Sequence, residues 1–321
     1  MFSGLPAPIP DEHIHSVLAR LNTLEGIGDF RNTINAFISS DGQLNNKYCW
    51  RSNYEELWEV FDGILSRNQL LAKHTPFYFD SKFLPVALVE RIGAKPLFEQ
   101  KCFKGLKNIK FSHVWRWCPK CVIEDVEREG SRFWHVIHQI PTLLRCPEHK
   151  VALEYSCLCG EYKLNKLTKF QLPPKDNICP VCSQLMSFNK IGLEDEQHWL
   201  ESLTMSLMCL PPASQIESIK AKLRYALNLP ASKERLSRHN RQKLKEYQDV
   251  LEYLALDGPY AEYFLFESYN HSNPIAPYCI NLSLLIYSDA CYPPLSYIAA
   301  LRIFYKQAEV EKILLGEAYG L

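Results

Sequence analysis

The sequence predicts a mainly α-helical protein with small β elements in a cysteine-rich central region. Two observations support this fold class. Apolar residues recur at helical spacing before residue 100 and after residue 191, and seven of the twelve cysteines lie between Cys118 and Cys182. With 321 residues, the chain is long enough for two or three domains. We expect a helical N-terminal domain at residues 1–100, a cysteine-rich module at 101–190 and a helical C-terminal domain at 191–321.

The composition, 47% hydrophobic and 22% charged, is typical of a soluble globular protein. The N-terminus lacks the basic and then apolar pattern of a secretory signal. The longest apolar run, at residues 278–287, is far too short for a membrane span. We therefore expect a cytoplasmic protein with no membrane partner. Cysteines stay reduced in that compartment, where clustered cysteines bind metals more often than they form disulfides.

Charge is balanced over the whole chain but is concentrated locally. Residues 101–120 contain six Lys or Arg and no acid, and residues 220–245 contain nine basic residues and one acid, Glu234. Such basic stretches fit a protein that contacts phosphate groups on one face. A solvated helix surface is the alternative explanation for either stretch.

The first cysteine cluster pairs two short motifs. Cys118-Pro-Lys-Cys121 is followed, after twenty-four intervening residues, by Cys146-Pro-Glu-His149. Two residues between ligands allow a tight turn to direct both side chains at one ion, and two such turns complete a tetrahedral Cys₃His set. His113, His135 and His138 are alternative ligands, but none lies in such a turn.

The second cluster also consists of two short ligand motifs, here with four cysteines. Cys157-Leu-Cys159-Gly160 is followed, nineteen residues later, by Cys179-Pro-Val-Cys182. We expect two structural Zn²⁺ ions in closed sites, which makes the central region a double zinc module with small zinc-ribbon or knuckle β elements. The alternative is a set of buried or redox-active cysteines. The five isolated cysteines are expected in the core: Cys49, Cys102, Cys209, Cys279 and Cys291.

Three helices are predicted before residue 100. The first carries Ile14, Val17, Leu18 and Leu21 on one face, with Asp11 as its N-cap. The second begins at Asp29 after a turn at Gly26 and Gly28, and the third extends from Asn53 to about Lys73. Helix, glycine turn and helix in this space are compatible with a helix-turn-helix, although any helical hairpin gives the same pattern.

Between the ligand pairs of the first site, the sequence indicates a short helix, a turn at Gly130-Ser131 and a second helix that places Trp134 and His138 on one face. Trp115 and Trp117 flank the first cysteine pair. We interpret these aromatic residues as core, with stacking on nucleic-acid bases as the rarer alternative.

After residue 191 the pattern is helical again. We predict helices around residues 199–207 and 216–227, a long helix from Ala231 to Leu256 with Ser232 as its cap, and a tail helix from Ser296 to Leu315. The long helix is rich in cations, and we take six of them as candidate DNA contacts: Lys233, Arg235, Arg238, Arg241, Lys243 and Lys245.

Taken in order, these features resemble the TniQ/TnsD family of transposon target-selection proteins. The features are a proline-rich start with Glu12, a helix with Ser16 and Arg20, and the motifs Trp117-Cys118-Pro119-x-Cys121, Phe133-Trp134, Arg145-Cys146-Pro147-x-His149, Cys157-x-Cys159-Gly160 and Cys179-Pro180-x-Cys182. They cover roughly residues 5–185. The resemblance implies that the eight Cys and His residues of these motifs are zinc ligands.

The resemblance also implies an accessory factor with no chemistry of its own. Such a protein binds double-stranded target DNA, or docks on a CRISPR guide RNA complex, and then recruits an AAA+ ATPase regulator and a transposase. The basic stretches favour direct DNA reading. As an alternative role, the N-terminal helices with the exposed proline-rich start are a candidate surface for recruiting the ATPase.

Two other functions remain open from the sequence. One is a zinc-stabilised transcriptional regulator that reads a promoter with its N-terminal helices. The other is an enzyme such as a nuclease with structural zinc, which we rank last. The chain has no GxxxxGK[ST] phosphate loop, no GxGxxG motif and no HExxH motif.

Overall fold

The computed structural model describes residues 6–25, 58, 59, 61, 63–94, 103–105, 108–112, 114–159, 172–186, 192–265 and 278–316. It confirms a mainly helical fold, because β structure in these residues is limited to five isolated antiparallel bridges. Two compact units are present: Met1–Phe77 with Arg91–Gln100 and Phe111–Gly192, and Tyr78–Glu90 with Lys101–Lys110 and Leu193–Leu321. We call them unit 1 and unit 2. The three-part division expected from the sequence stays a prediction.

The described α-helices are α1 (Ile14–Glu25), α2 (Arg67–His74), α3 (Phe77–Asp80), α4 (Val86–Ala94), α5 (Pro119–Glu129), α6 (Asp195–Met208), α7 (Ile216–Ala226), α8 (Arg238–Leu256), α9 (Leu282–Tyr287), α10 (Pro294–Arg302) and α11 (Gln307–Leu315). Short 3₁₀ turns lie at Ser81–Phe83, Ile137–Gln139, Lys175–Asn177 and Lys233–Arg235. Searching the described helices finds none with the length and apolarity needed to cross a bilayer.

Helix α1 buries the predicted apolar stripe, since Ile14, Val17 and Leu18 are fully buried. The predicted cap is wrong. Asp11 has a left-handed backbone with φ of 62°, the helix begins only at Ile14, and the Asp11 carboxylate instead faces His135. The chain before α1 is therefore shaped by contacts with a distant segment, and the predicted local cap does not form.

That distant segment is residues 133–136. The N–H of His13 donates to the carbonyl of Trp134, the N–H of Val136 donates to that of Asp11, and the Ser16 hydroxyl accepts from the N–H of Trp134 at 2.9 Å. An antiparallel bridge joins Glu12 to His135. These bonds attach the N-terminal segment to the cysteine-rich region within unit 1.

A buried ion pair completes this attachment. The guanidinium of Arg20 donates to both carboxylate oxygens of Glu12 at 2.8 Å and to the carbonyl of Ala7 at 2.6 Å. Glu12 is fully buried and Arg20 is 7% exposed. The Glu12 carboxylate also accepts a hydrogen bond from the N–H of Ile9. The backbone carbonyl oxygen of Glu12 lies 2.7 Å from Nδ1 of His74. The buried charged pair thus connects the proline-rich start to α1, and the backbone of Glu12 adds a contact to the end of α2.

The predicted third helix is interrupted. Gly63 adopts a φ of 84°, which a helix does not accommodate, and Ser66 then caps α2. The Ser66 hydroxyl accepts from the N–H of Gln69, whose side chain accepts in return from the N–H of Ser66, forming a capping box. The predicted second helix, and with it the helix-turn-helix hypothesis, lies outside the described residues.

Tryptophans form the centre of unit 1. Trp115, Trp117 and Trp134 are at most 1% exposed, and the ring centroid of Trp134 lies 5.5 Å from that of Trp115 and 6.2 Å from that of Trp117. Rings at these separations favour tilted and edge-to-face packing. The interpretation of these residues as core is confirmed, and they are not available for stacking on bases.

The predicted second helix between the first ligand pairs is wrong. Helix α5 ends as expected at Gly130, whose left-handed φ of 69° caps it. The chain that follows has only a 3₁₀ turn at Ile137–Gln139. The backbone groups of Trp134 and Val136 form hydrogen bonds with the N-terminal segment. A helix at these residues would remove those hydrogen bonds.

Unit 2 is built around α10. Every residue from Pro294 to Leu301 is buried, as expected for a helix surrounded by other helices, and α10 contacts α7, α8, α9 and α11. The predicted tail helix is divided in two, because α10 ends at Arg302 and α11 begins at Gln307. Helices α6 and α7 lie where the sequence predicts them.

A charged network stabilises unit 2 near the ends of these helices. Arg302 donates to both carboxylate oxygens of Glu196, at 2.7 and 2.9 Å, and Tyr260 and Gln307 donate to the same carboxylate. Burial raises the pKa of Glu196, but the Arg302 pairing and these hydrogen bonds outweigh it and lower the pKa below its usual value.

We predict that Arg20→Met lowers the free energy of unfolding by about 3–5 kcal/mol, because it leaves the Glu12 carboxylate buried without its cation. Urea denaturation followed by circular dichroism measures this loss. Arg128→Ala is the matched control: it breaks the exposed Arg128–Glu124 pair, which spans 3.6 Å, and should cost less than about 1 kcal/mol. Equal effects of the two substitutions would contradict the prediction.

Candidate metal centres and basic surface

The first half of site 1 is the start of α5. Cys118 is the N-cap residue with extended backbone angles, Pro119 occupies the first helical turn, and Cys121 follows within that turn. Proline is favoured there because its missing N–H would have no helical partner. The N–H of Val122 donates to the carbonyl of Cys118. The helix start therefore places both sulfurs on the same side.

The second half of site 1 is a tight turn between two paired segments. The N–H of Lys150 donates to the carbonyl of Cys146, the N–H of Cys146 donates to that of Val151, and a bridge joins Arg145 to Ala152. Lys150 has a left-handed φ of 57°. This turn folds His149 back toward Cys146, so that its N–H lies 3.5 Å from that sulfur.

Four donor atoms meet at site 1. Nδ1 of His149 lies 3.5 Å from Sγ of Cys118, 3.3 Å from Sγ of Cys121 and 3.6 Å from Sγ of Cys146, and the last two sulfurs are 3.6 Å apart. Ligand lengths typical of zinc give tetrahedral edges of about 3.8 Å between sulfurs and about 3.6 Å between sulfur and nitrogen. The observed distances are close to these edges and far longer than a disulfide bond, so this group could hold a metal ion.

Site 2 repeats the turn of site 1. The N–H of Ser183 donates to the carbonyl of Cys179, the N–H of Cys179 donates to that of Gln184, and a bridge joins Ile178 to Leu185. Ser183 has a φ of 57°, the same value as Lys150 at the equivalent position. The shared Cys-Pro-x-(Cys/His) pattern therefore gives one backbone geometry twice.

The four sulfurs of site 2 also converge. Sγ of Cys157 lies 3.7 Å from that of Cys182, and Sγ of Cys159 lies 3.9 Å from that of Cys179. These separations again match the edge of a zinc–sulfur tetrahedron. Site 2 is less enclosed than site 1, since Cys159 is exposed and Cys182 is half-buried. This group could also hold a metal ion.

The two sites are joined through Trp117. Its backbone pairs with Glu154 by two hydrogen bonds, and its indole N–H donates to the side chain of Asn177 at 3.2 Å. Asn177 in turn donates to the carbonyl of Met186, at the end of the site 2 turn. Trp117, which precedes the first ligand of site 1, is thus in direct contact with Asn177, which precedes Cys179 of site 2.

Electrostatics at site 1 favour a cation. Hydrogen bonding to the Cys118 and Cys146 sulfurs and burial raise the pKa of Cys121 far above its usual range, and repulsion between neighbouring thiolates raises this pKa further. A divalent ion removes this repulsion by binding the sulfurs as thiolates. The donor set, three sulfurs and one imidazole, is one that zinc prefers.

The alternative histidine ligands lie elsewhere. His135 contacts two carboxylates, and His138 is buried with Nε2 3.8 Å from Sγ of Cys121, outside the four-donor group. His113 lies outside the described residues. Of the isolated cysteines, Cys279 is buried as expected, Cys291 is half-buried, and Cys209 is exposed, so its assignment to the core is wrong. Cys49 and Cys102 are outside the described part of the chain.

The basic stretch of unit 2 is not one helix. Lys233 and Arg235 lie on a 3₁₀ turn capped by Ser232, the chain then breaks at the buried Leu236, and α8 starts with a new cap at Ser237. The predicted single helix from Ala231 is therefore corrected. Ser232 does accept a hydrogen bond from a backbone N–H, that of Glu234, but it caps the turn and not the helix.

The six candidate DNA contacts are distributed over different surfaces. Arg238, Arg241 and Lys245 are exposed. They share one side of α8, because Arg241 and Lys245 lie three and seven residues after Arg238. Lys243 is half-buried and lies on another side of the helix. Lys233 and Arg235 are exposed on the preceding turn. None of these six cations forms an ion pair with a residue in the described part of the chain.

Comparison with known proteins relates this arrangement to a family. Residues 4–153 match the family model TniQ. The chain is also similar to the transposon Tn7 transposition protein TnsD of Escherichia coli, with 26% identity over 165 residues that cover 46% of this chain and 30% of the relative. The chain thus matches less than a third of that relative's length. The range matched by the TniQ family model includes the Glu12–Arg20 pair and all of site 1, and it ends before Cys157.

Two further contacts in this region were not predicted from the sequence. Glu124, one turn after Cys121, accepts a hydrogen bond from His149, and the three-residue spacing was the available signal. His135 lies between Asp11 and Asp125, at 3.1 and 2.9 Å from their carboxylates. Its partners are far apart in the sequence, so no local pattern indicated this contact.

We predict that His135 makes unit 1 more stable at neutral pH than at alkaline pH. Burial lowers the pKa of His135, but the Asp11 and Asp125 carboxylates outweigh burial and raise it to about 9 from 6.5. The stabilisation is complete below about pH 6.5, where the unfolded chain is protonated too, and it is lost as the pH rises through 9. It amounts to a few kcal/mol at most.

The measurement is the free energy of unfolding of wild type and His135→Gln from pH 6 to 9.5. The difference between the two proteins should shrink steadily over this range, since titrations common to both cancel. A difference that does not change with pH would contradict the prediction.

Proposed function

Because this chain is a TniQ/TnsD family protein, we propose that it selects target sites for transposition. In this proposal the chain binds double-stranded target DNA through unit 2 and recruits an AAA+ ATPase regulator and a transposase. It acts as an adaptor and carries out no chemistry itself. The TniQ domain and the similarity to a transposition protein of Tn7 support the general role, and the DNA-binding part is argued from the charges of α8.

The observation that carries the DNA proposal is the charge order along α8. Its first turns carry Arg238 and Arg241 with no acid, and its last turn carries no cation. This order opposes the helix dipole, which favours acids at the start and cations at the end by about 0.3–1 kcal/mol each. A phosphate group bound at the helix start would interact favourably both with these cations and with the positive end of the helix dipole, because helix N-termini bind anions.

The exposed cations of α8 contrast with cations that have a structural role. Arg302 pairs with Glu196, and Lys220 donates to the carbonyl of Ser288. Arg238, Arg241 and Lys245 have no such partner among the described residues, so their charge is available to an external anion. Three cations on one helix side fit the backbone of a DNA duplex, with Lys233 and Arg235 as further contacts before the helix.

We also propose that both donor groups hold structural Zn²⁺, with Cys118, Cys121, Cys146 and His149 at site 1 and Cys157, Cys159, Cys179 and Cys182 at site 2. Zinc bound there would cross-link segments that have little secondary structure of their own. Every donor position of each tetrahedron is filled by a protein atom, so the ions would serve folding and not catalysis.

Duplex binding should weaken steeply with salt, and replacing Arg238, Arg241 and Lys245 by Ala should reduce the slope of log K against log salt by about 2.7, since each phosphate contact contributes about 0.9. Fluorescence anisotropy with a labelled duplex measures both quantities. Lys243→Ala is the matched control, because Lys243 lies on a different side of α8, and it should change the slope little. An unchanged slope in the triple variant would remove α8 from the DNA surface.

Three further observations on the purified protein separate the alternatives. A protein with no affinity for duplex DNA that co-purifies with a CRISPR guide RNA complex would be an adaptor for RNA-guided transposition. A protein that binds one promoter and needs no transposase would be a transcriptional regulator. Cleavage of DNA by the pure protein would show an enzyme.

For the metal proposal, we expect elemental analysis of purified protein to find two zinc equivalents per chain. Removal by a strong chelator should unfold the cysteine-rich part of unit 1, because bound metal supplies folding free energy there. Circular dichroism and proteolysis before and after chelation measure the change. Far fewer than two equivalents in carefully prepared protein would refute zinc binding at one or both sites.

A further inference from the structure

The two ring nitrogens of His149 have different partners. Nδ1 faces the three sulfurs of site 1 at 3.3–3.6 Å. Nε2 lies 2.7 Å from Oε1 of Glu124. The imidazole is therefore held between the metal donor group on one side and a carboxylate on the other.

The position of Glu124 follows from helix α5. Cys118 caps this helix, Cys121 lies in its first turn, and Glu124 lies one turn later on the same side, three residues after Cys121. One helix thus supplies two donors and the carboxylate that contacts a third. His149 comes from the separate turn after Cys146, so its ring needs a contact outside that turn to fix its orientation.

The chemistry of imidazole gives this contact a function. A neutral imidazole carries one N–H, and the nitrogen that lacks the proton is the one that binds a metal. A carboxylate at Nε2 accepts the N–H there and leaves the lone pair of Nδ1 directed at the sulfurs. It also restricts rotation of the ring. Carboxylate–histidine–zinc arrangements of this kind raise metal affinity by about ten- to a hundredfold.

We propose that Glu124 is a positioning residue of site 1, which holds His149 in the metal-binding tautomer and orientation and thereby slows release of the ion. This inference rests on the proposed zinc occupancy. Site 2 has four sulfurs and no imidazole, so the same device does not operate there. A substitution of Glu124 should therefore affect one of the two ions in the molecule and leave the other as an internal reference.

Two neighbouring residues separate this role from simpler ones. Arg128 forms an exposed ion pair with Glu124 at 3.6 Å, so its removal tests whether helix stability alone matters. Glu148 has a carboxylate oxygen within 4.8 Å of donor atoms of Glu124 and His149, but it forms no hydrogen bond with His149. Its removal tests whether a nearby negative charge alone matters.

The test is release of zinc from the loaded full-length protein to an excess of a chromogenic chelator. The wild-type trace should contain two phases, and Cys159→Ser, which changes site 2 alone, assigns them. Glu124→Ala should accelerate the site 1 phase about ten- to a hundredfold and leave the site 2 phase unchanged. Glu124→Gln should retain much of the wild-type rate, because its side-chain carbonyl still accepts the N–H of His149.

Glu148→Ala and Arg128→Ala should both release zinc at the wild-type rate. The proposal is overturned if Glu124→Ala releases zinc no faster than Glu148→Ala, or if Arg128→Ala accelerates release equally. Two zinc equivalents in wild type with no effect of Glu124→Ala would refute the role of Glu124 while leaving zinc binding intact. Fewer than two equivalents would instead refute the zinc occupancy. Circular dichroism of each variant verifies that α5 is folded.

Discussion

The convergence of four donors at site 1 is the interaction on which unit 1 depends. It joins the start of α5 to the turn after Cys146, and both segments continue into the tryptophan core through Trp117 and its pairing with Glu154. Crowded thiols in a buried position oppose folding unless a cation binds them. The fold of this region therefore depends on binding of the proposed metal ion.

The N-terminal segment belongs to the same physical unit. The Glu12–Arg20 pair orders the proline-rich start, and backbone bonds from His13 and Val136 connect it to the chain beside Trp134. The range matched by the TniQ family model, residues 4–153, contains both of these connected segments. The matched residues near the start and near site 1 contact one another, so a change in either would disturb both.

Charged residues in unit 2 fall into two groups with different roles. Glu196 and Arg302 are paired, partly buried and linked to Tyr260 and Gln307, so their charges are balanced inside the protein. The cations at the start of α8 are exposed and oppose the helix dipole. Natural proteins keep such local conflicts where function requires them. The balanced group accounts for stability, and the unbalanced group is the basis of the proposed DNA contact.

Local patterns alone determined several features of this protein. Cysteine spacing predicted which eight side chains come together, helical periodicity predicted α1, α6 and α7, and Gly130 predicted the end of α5, because turns and helix ends depend on neighbouring residues. The tertiary structure decided the rest. Residues 133–136 pair with the N-terminal segment and do not form a helix, His135 joins Asp11 to Asp125, Glu124 reaches His149, and Leu236 packs inward and separates Lys233 and Arg235 from α8. Each of these outcomes depends on contacts between residues distant in sequence or on burial, and the energy of such contacts exceeds the small local preferences that a sequence pattern reports.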